Sequence, residues 1–319
     1  MQYEEELNVI AEDIAQSSME LLDILLKDRT TNKNIIWATN DYISHGELYV
    51  ATEQIDSNLI TGVHSNLIQP RVAKAHYHKD SRTKDKAEVF TPSWICNAQN
   101  NLVDEHWFGR PDVFNIMHGN TWTPTGRVVF PENRRRTWKH YVDARRIEVS
   151  CGEAPYLVSR YDAVTGESIE LLSRVGLLDR KLRVVTENAS DESEWLKWAY
   201  RAYESVYGFE FQGDSLLLAR KNLLYTFIDY MRYALRRAPV LCELKKVATV
   251  VSWNLWQMDG LTYGPPLCDI QEEMKQLSLF DFIETETMIT QKPAQPRCKI
   301  KDWRSKVIVE YYSLVRGKE

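Results

Sequence analysis

Three short β-prone segments recur along the middle of this chain, each closing on an acid or a glycine and each followed by helical spacing. The first, residues 146–150, leads directly into Cys151 and Gly152. The second, 207–211, carries Glu210 near its end, and the third, 250–256, runs on to Asp259 and Gly260. Between the first two lies a predicted helix over 194–206 with Trp195, Trp198, Ala199, Ala202 and Val206 on one face. Helices over 215–235 and 242–248, separated by Pro239, precede the third. Strands alternating with helices in this rhythm predict βαβ units and a parallel sheet, hence an α/β fold. Outside this stretch the pattern is weaker. Residues 5–30 have apolar positions at helical period, 31–90 are mixed, 105–140 read as loop with short elements, and 298–314 read as a terminal hairpin turning at 301–305.

Composition removes several alternatives. The chain has 319 residues, 44% of them hydrophobic, which is enough for a sizeable core and excludes disorder as a description. No run approaches the roughly 20 apolar residues of a membrane span, and the acidic start lacks the basic–apolar order of a signal peptide. The five cysteines form no CxxC pair, which predicts a thiol-reduced, cytoplasmic protein without membrane attachment. The seven histidines are scattered, and His76 and His78, the one close pair, have no cysteine near them, so a metal site is not expected. A net charge of -5 argues against a chain held on DNA by overall charge. Locally the balance reverses: Arg134, Arg135 and Arg136 are consecutive, and Lys139, Arg145 and Arg146 follow. That cluster suits phosphate contacts and equally suits a solvated surface.

The three strand ends carry the chemistry. Glu148, Cys151 and Gly152 form a strand-to-loop junction of the kind that seats a nucleotide-like cofactor, with Gly152 permitting close backbone approach. Glu210 is placed to accept hydrogen bonds from a ribose diol, and Asp259 from an adenine amino group. Singly, each is matched by a bland alternative: a turn glycine, a surface Glu, an Asp-Gly turn. Jointly they mark the carboxyl edge of a parallel sheet, where open α/β sheets bind ligands.

The order of these peptides resembles that of the gamma-arranged amino-methylating adenine DNA methyltransferases. Val89-Phe90-Thr91-Pro92 is similar to that family's motif ending in Thr-Pro, and EVSCGEA (148–154) to its DPACGSG loop. GFEFQGDSLLLARKNL (208–223) is similar to its GIEIDP…LAR.N strand and helix, and NLWQMDGL (254–261) to its third strand with GD.L. The stretches KAEVFTPSWICN and CGEAPYLVSRYD look especially like proteins described as restriction endonuclease subunit M. The resemblance covers about residues 85–261. It implies a Rossmann-like S-adenosylmethionine-dependent methyltransferase core over 85–261, a mixed N-terminal helical region over 1–84 and a C-terminal extension over 262–319. It further implies that Phe90, Thr91 and Pro92 line the methionine end of S-adenosyl-L-methionine, that Glu148, Cys151 and Gly152 form the loop beneath it, that Glu210 holds the ribose and that Asp259 meets the adenine. Arg134, Arg135, Arg136, Arg145 and Arg146 are the expected DNA contacts. Glu153 and Ala154 depart from the small residues of the family loop; an alanine there is harmless unless its φ must be positive.

One part of the family pattern is missing. No Asn-Pro-Pro-Tyr or Asp-Pro-Pro-Tyr occurs in the chain, and Gly264-Pro265-Pro266-Leu267 lacks both the acceptor and the aromatic that hold a flipped base. The core is then incomplete, and three readings follow. In the first, a second methyltransferase subunit supplies (D/N)PPY and target recognition. In the second, the chain is a degenerate, non-catalytic DNA-binding or regulatory module. In the third, Asp229, Glu243 and Lys245 form the triad of a metal-dependent restriction nuclease.

Overall fold

The computed structural model describes residues 19–73, 91–132, 134–268 and 296–315. Among its described residues the N-terminal region forms helix α1 (Met19–Leu26) and then a series of short 3₁₀ turns. Helix α2 (Ser93–Phe108) follows, closed by Gly109 in the left-handed conformation, whose N–H bonds Glu105 O. A two-stranded antiparallel hairpin, β1 (Asn115–His118) and β2 (Thr121–Pro124), and a short helix α3 (Trp138–Asp143) occupy the stretch expected to be mainly loop.

The parallel sheet is present. β3 (Arg146–Glu148) pairs with β4 (Val206–Glu210), and β4 with β5 (Leu255–Gln257), in the order β3-β4-β5. The crossovers are helical: α4 (Leu177–Asn188) and α5 (Glu192–Glu204) link β3 to β4, and α6 (Gly213–Leu235) and α7 (Leu241–Asn254) link β4 to β5. A mixed α/β fold with a parallel sheet is therefore established. The third strand is shorter than predicted, because α7 runs through the β-branched stretch up to Asn254 and leaves three residues for β5. Val247, Ala248, Val250 and Val251 are buried at helical spacing, and Glu243 accepts the Val240 N–H at 2.8 Å at the helix start. Tertiary burial and that cap overrule the local β preference.

Alternation along the strands assigns the two faces of the sheet. Val206 and Leu255 belong to the main core with the helices, whereas Tyr207, Phe209, Trp256 and Met258 form a second cluster with Cys298 and Ile300. That second face is covered by the antiparallel hairpin β6 (Lys299–Asp302) and β7 (Val307–Glu310), followed by α8 (Tyr311–Val315). No helix among the described residues is long and apolar enough to cross a membrane.

Candidate functional site at the carboxyl edge of the sheet

β3 and β4 deliver two carboxylates to neighbouring positions at their carboxyl ends. Glu148 and Glu210 are both buried. Glu148 accepts the N–H groups of Tyr156 (3.2 Å) and Leu157 (3.1 Å), and Glu210 accepts those of Gly152 (2.8 Å) and Gln212 (3.1 Å). Among the described residues Glu148 is held by these backbone dipoles, with no ion pair to it. Burial pushes its carboxyl up to about 8, and the nearby Glu210 charge pushes the same way against the two backbone N–H groups. A desolvated Glu148 with a second carboxylate nearby favours a ligand that brings positive charge or donates hydrogen bonds.

The loop beneath them is folded on itself. The Cys151 N–H bonds Phe209 O at 2.8 Å, and the Ala154 N–H bonds Cys151 O at 2.7 Å. Ser150 (φ 50°), Gly152 (φ 53°) and Ala154 (φ 66°) are all left-handed. Only Gly152 adopts that conformation freely; Ala154, which is fully buried, carries the strain that its position in the sequence put at issue. Glu153 anchors the loop laterally. Its carboxylate accepts the Arg71 N–H at 2.7 Å and the Tyr161 hydroxyl, and its carbonyl accepts Asn222 Nδ2 at 3.1 Å. Cys151 is buried, and desolvation raises its thiol well above the ordinary value, which makes it a packing residue rather than a nucleophile.

Thr91 and Pro92 lie at the start of α2, near this loop. Thr91 O accepts the Cys96 thiol at 3.7 Å, Pro92 caps the helix, and the Ser93 N–H reaches Asp162 at 2.7 Å. Phe90 lies outside the described residues. Asp259 is half-buried two residues beyond β5 and accepts the Leu261 N–H at 2.8 Å, while the Leu261 side chain itself is 91% exposed. Gln257, at the end of β5, had no role in the sequence reading. Its amide clamps Ile36, accepting that residue's N–H and donating to its carbonyl, both at 2.9 Å. It also donates to Phe211 O at 2.9 Å, and the Gly213 N–H bonds Trp37 O at 3.0 Å. A segment of the N-terminal region therefore straps the ends of β4 and β5. A buried glutamine in a short apolar strand was the available signal.

The arginines are elsewhere. Arg145 and Arg146 stand at the start of β3, and the Arg146 N–H bonds Ser205 O just before β4, so they occupy the amino edge of the sheet, opposite Glu148. Arg145 pairs with Asp302 at 2.8 Å. Arg134, Arg135 and Arg136 are exposed on the turn before α3, whose chain leads into that same edge. The nuclease triad is not assembled. Asp229 pairs with Arg160 and Arg174, Glu243 with Arg237, and Lys245 with Glu20. Among the described residues no group of three His, Cys, Asp or Glu is placed to hold a metal ion.

No protein-family model, curated protein or solved structure matches the chain.

Proposed function

We propose that this chain is the S-adenosyl-L-methionine-binding subunit of an adenine-specific DNA methyltransferase, with (D/N)PPY and target recognition supplied by a second chain. The observation that carries the reading is the pair Glu148 and Glu210, buried at the carboxyl ends of adjacent parallel strands, with Glu210 accepting the N–H of Gly152 from the loop that follows β3. The residues fit that ligand chemically. Glu210 sits at the end of β4 with its carboxylate held by the N–H groups of Gly152 and Gln212, at the strand end where a ribose acceptor is expected. The two acids of the edge suit the cationic sulfonium and ammonium of the cofactor, whose bound contribution is an activated methyl group. Asp259 and the exposed Leu261 offer an acceptor and an apolar surface for a purine. What the chain lacks is an Asn or Asp plus aromatic pair to position the acceptor amine. The expected outcome is no methylation of adenine by the chain alone and methylation on adding a chain with (D/N)PPY, read as tritiated-methyl transfer to unmodified genomic DNA. Methyl transfer by the chain alone would overturn the reading.

A second reading, a non-catalytic module derived from such an enzyme, is favoured by one observation: Ala154 stands buried at φ 66°, where a glycine would be relaxed. Calorimetry with S-adenosylmethionine separates the two. Micromolar binding supports the first, and no binding, alone or with the partner chain, supports the second.

A further inference from the structure

β3 is incompletely covered, both at its edge and on one face. Its sole neighbour among the described residues is β4. Because Arg146 spends its N–H on Ser205, the alternation of a parallel ladder turns the backbone groups of Ile147 and Val149 to the other side. Ile147 pairs in register with Tyr207 and so shares the face that the β6–β7 hairpin covers. The hairpin packs over Tyr207, Phe209 and Trp256 but stops short of β3, leaving Ile147 43% and Val149 62% exposed. Beside Ile147 runs an apolar groove of about 250 Å³ whose lining includes Ile147, Tyr207, Trp256, Tyr311 and Leu314. Leu314 is itself 58% exposed. At the mouth stands Arg146, which forms no ion pair among the described residues; its side chain donates to the carbonyl of Arg145. Parallel sheets are ordinarily buried on both faces, and a free edge with outward apolar residues is a template for another strand.

We propose that β3 and this groove are the docking surface for the second chain of the methyltransferase, which extends the sheet with a strand beside β3, seats apolar side chains against Ile147 and Val149 and presents a carboxylate to Arg146. The inference rests on the two-chain reading above. Three features select a protein strand as the occupant. Unpaired backbone groups require backbone partners, which a lipid or a small apolar ligand does not offer. The free guanidinium calls for an acid beside the apolar side chains. β3 is itself the strand that carries Glu148, so a strand added beside it places its own carboxyl end at the candidate site when it runs parallel.

Hydrogen–deuterium exchange and complex affinity test this, with the full chain and a partner polypeptide carrying (D/N)PPY. In the chain alone, the Ile147 and Val149 amides should exchange rapidly, and in the complex more slowly by at least about tenfold. Val149→Lys and Ile147→Lys should each weaken the complex by at least about tenfold, the equivalent of 1.4 kcal/mol, with unchanged melting temperature and unchanged S-adenosylmethionine binding by the chain alone. Protection already present in the chain alone would show that another segment of this chain covers the edge and would overturn the proposal. So would a homodimer dispersed by Val149→Lys, which makes a second copy the occupant. If the partner restores methylation without protecting these amides, the interface is refuted while the two-chain reading stands. If no such partner binds, both fail, and cofactor calorimetry on the chain alone shows whether the binding half of the function survives.

Discussion

Gly213→Ala should detach the N-terminal strap from the sheet. A Cβ at this position lies 2.0 Å from Ile36 O and 3.0 Å from both Ile36 C and Ile55 Cδ1. The obstacle is backbone, and that backbone is pinned. Ile36 is held on both sides by the Gln257 amide, Ile35 donates to Leu26 O, and Ile55 donates to Ile35 O. Gly213 begins α6 without a left-handed φ, so alanine is conformationally welcome there and the helix itself gains about 0.5–1 kcal/mol. The collision acts against that gain. Moving the strap away breaks the Gly213–Trp37 bond and both Gln257–Ile36 bonds, three hydrogen bonds at about 1 kcal/mol each. It also leaves the buried Gln257 amide short of partners, at a further cost of about 1–3 kcal/mol. A net loss of about 3–5.5 kcal/mol follows from these opposing contributions. Urea unfolding monitored by circular dichroism measures it, with Gly126→Ala as the control, since no atom lies within 4 Å of the Cβ added there. If Gly213→Ala unfolds within about 0.5 kcal/mol of the parent, as an ordinary surface change does, then the strap is not seated on the β4–α6 junction and this account of the edge is wrong.

Other outcomes bear on the site. Glu210→Ala should weaken S-adenosylmethionine binding by about 1.5–3 kcal/mol, the value of hydrogen bonds to a charged acceptor; equal affinities by calorimetry would remove Glu210 from the site. Glu148, raised from 4.5 to about 8, holds its proton in the folded state where the unfolded chain has lost it. Stability should therefore fall as pH rises from about 4.5 to about 8, and denaturant titrations across that window should show a shallower fall in Glu148→Gln. Replacing Arg134, Arg135 and Arg136 together should lower DNA affinity uniformly across sequences and flatten its salt dependence; an unchanged slope in a filter-binding series would make them solvated surface only.

Much of the parallel sheet was legible because its segments alternate at clear period. Residues 146–150 and 207–211 contain β3 and most of β4, and 215–235 falls within α6, a helix buried over most of its length. Helix α2 was not legible, and the reason is physical. The face it buries is polar: Asn97, Asn100 and Asp104 are inside. Their partners come from far along the chain. Arg180 donates to Asn97 (2.7 Å) and pairs with Asp104, Asn97 exchanges side-chain hydrogen bonds with Asn115 (2.9 and 2.8 Å), and Asn100 reaches the carbonyls of Tyr156 and Val175, both at 3.0 Å. A hydrophobic periodicity cannot reveal a helix whose inward face is satisfied by hydrogen bonds.

The same distinction governs the site. Residue type at a strand end can be read from sequence, and Glu148, Glu210 and Gly152 do converge at one edge. Which end of the strand a charge occupies, and what holds it, cannot. Arg145 and Arg146 are three and two residues from Glu148 in sequence, yet strand geometry puts them at the opposite edge of the sheet, about 3.3 Å further away for each residue. A nucleic acid approaching the carboxyl edge would therefore meet Glu148 and Glu210 before these arginines, and nothing in β3 itself neutralises phosphate there. If the chain acts on DNA through that edge, the compensating cations must come from elements other than β3 and β4. Because the strands that carry the acids supply none, phosphate binding there depends on which neighbouring element or second chain brings a cation to that edge, a requirement set by where the charges sit rather than by a motif.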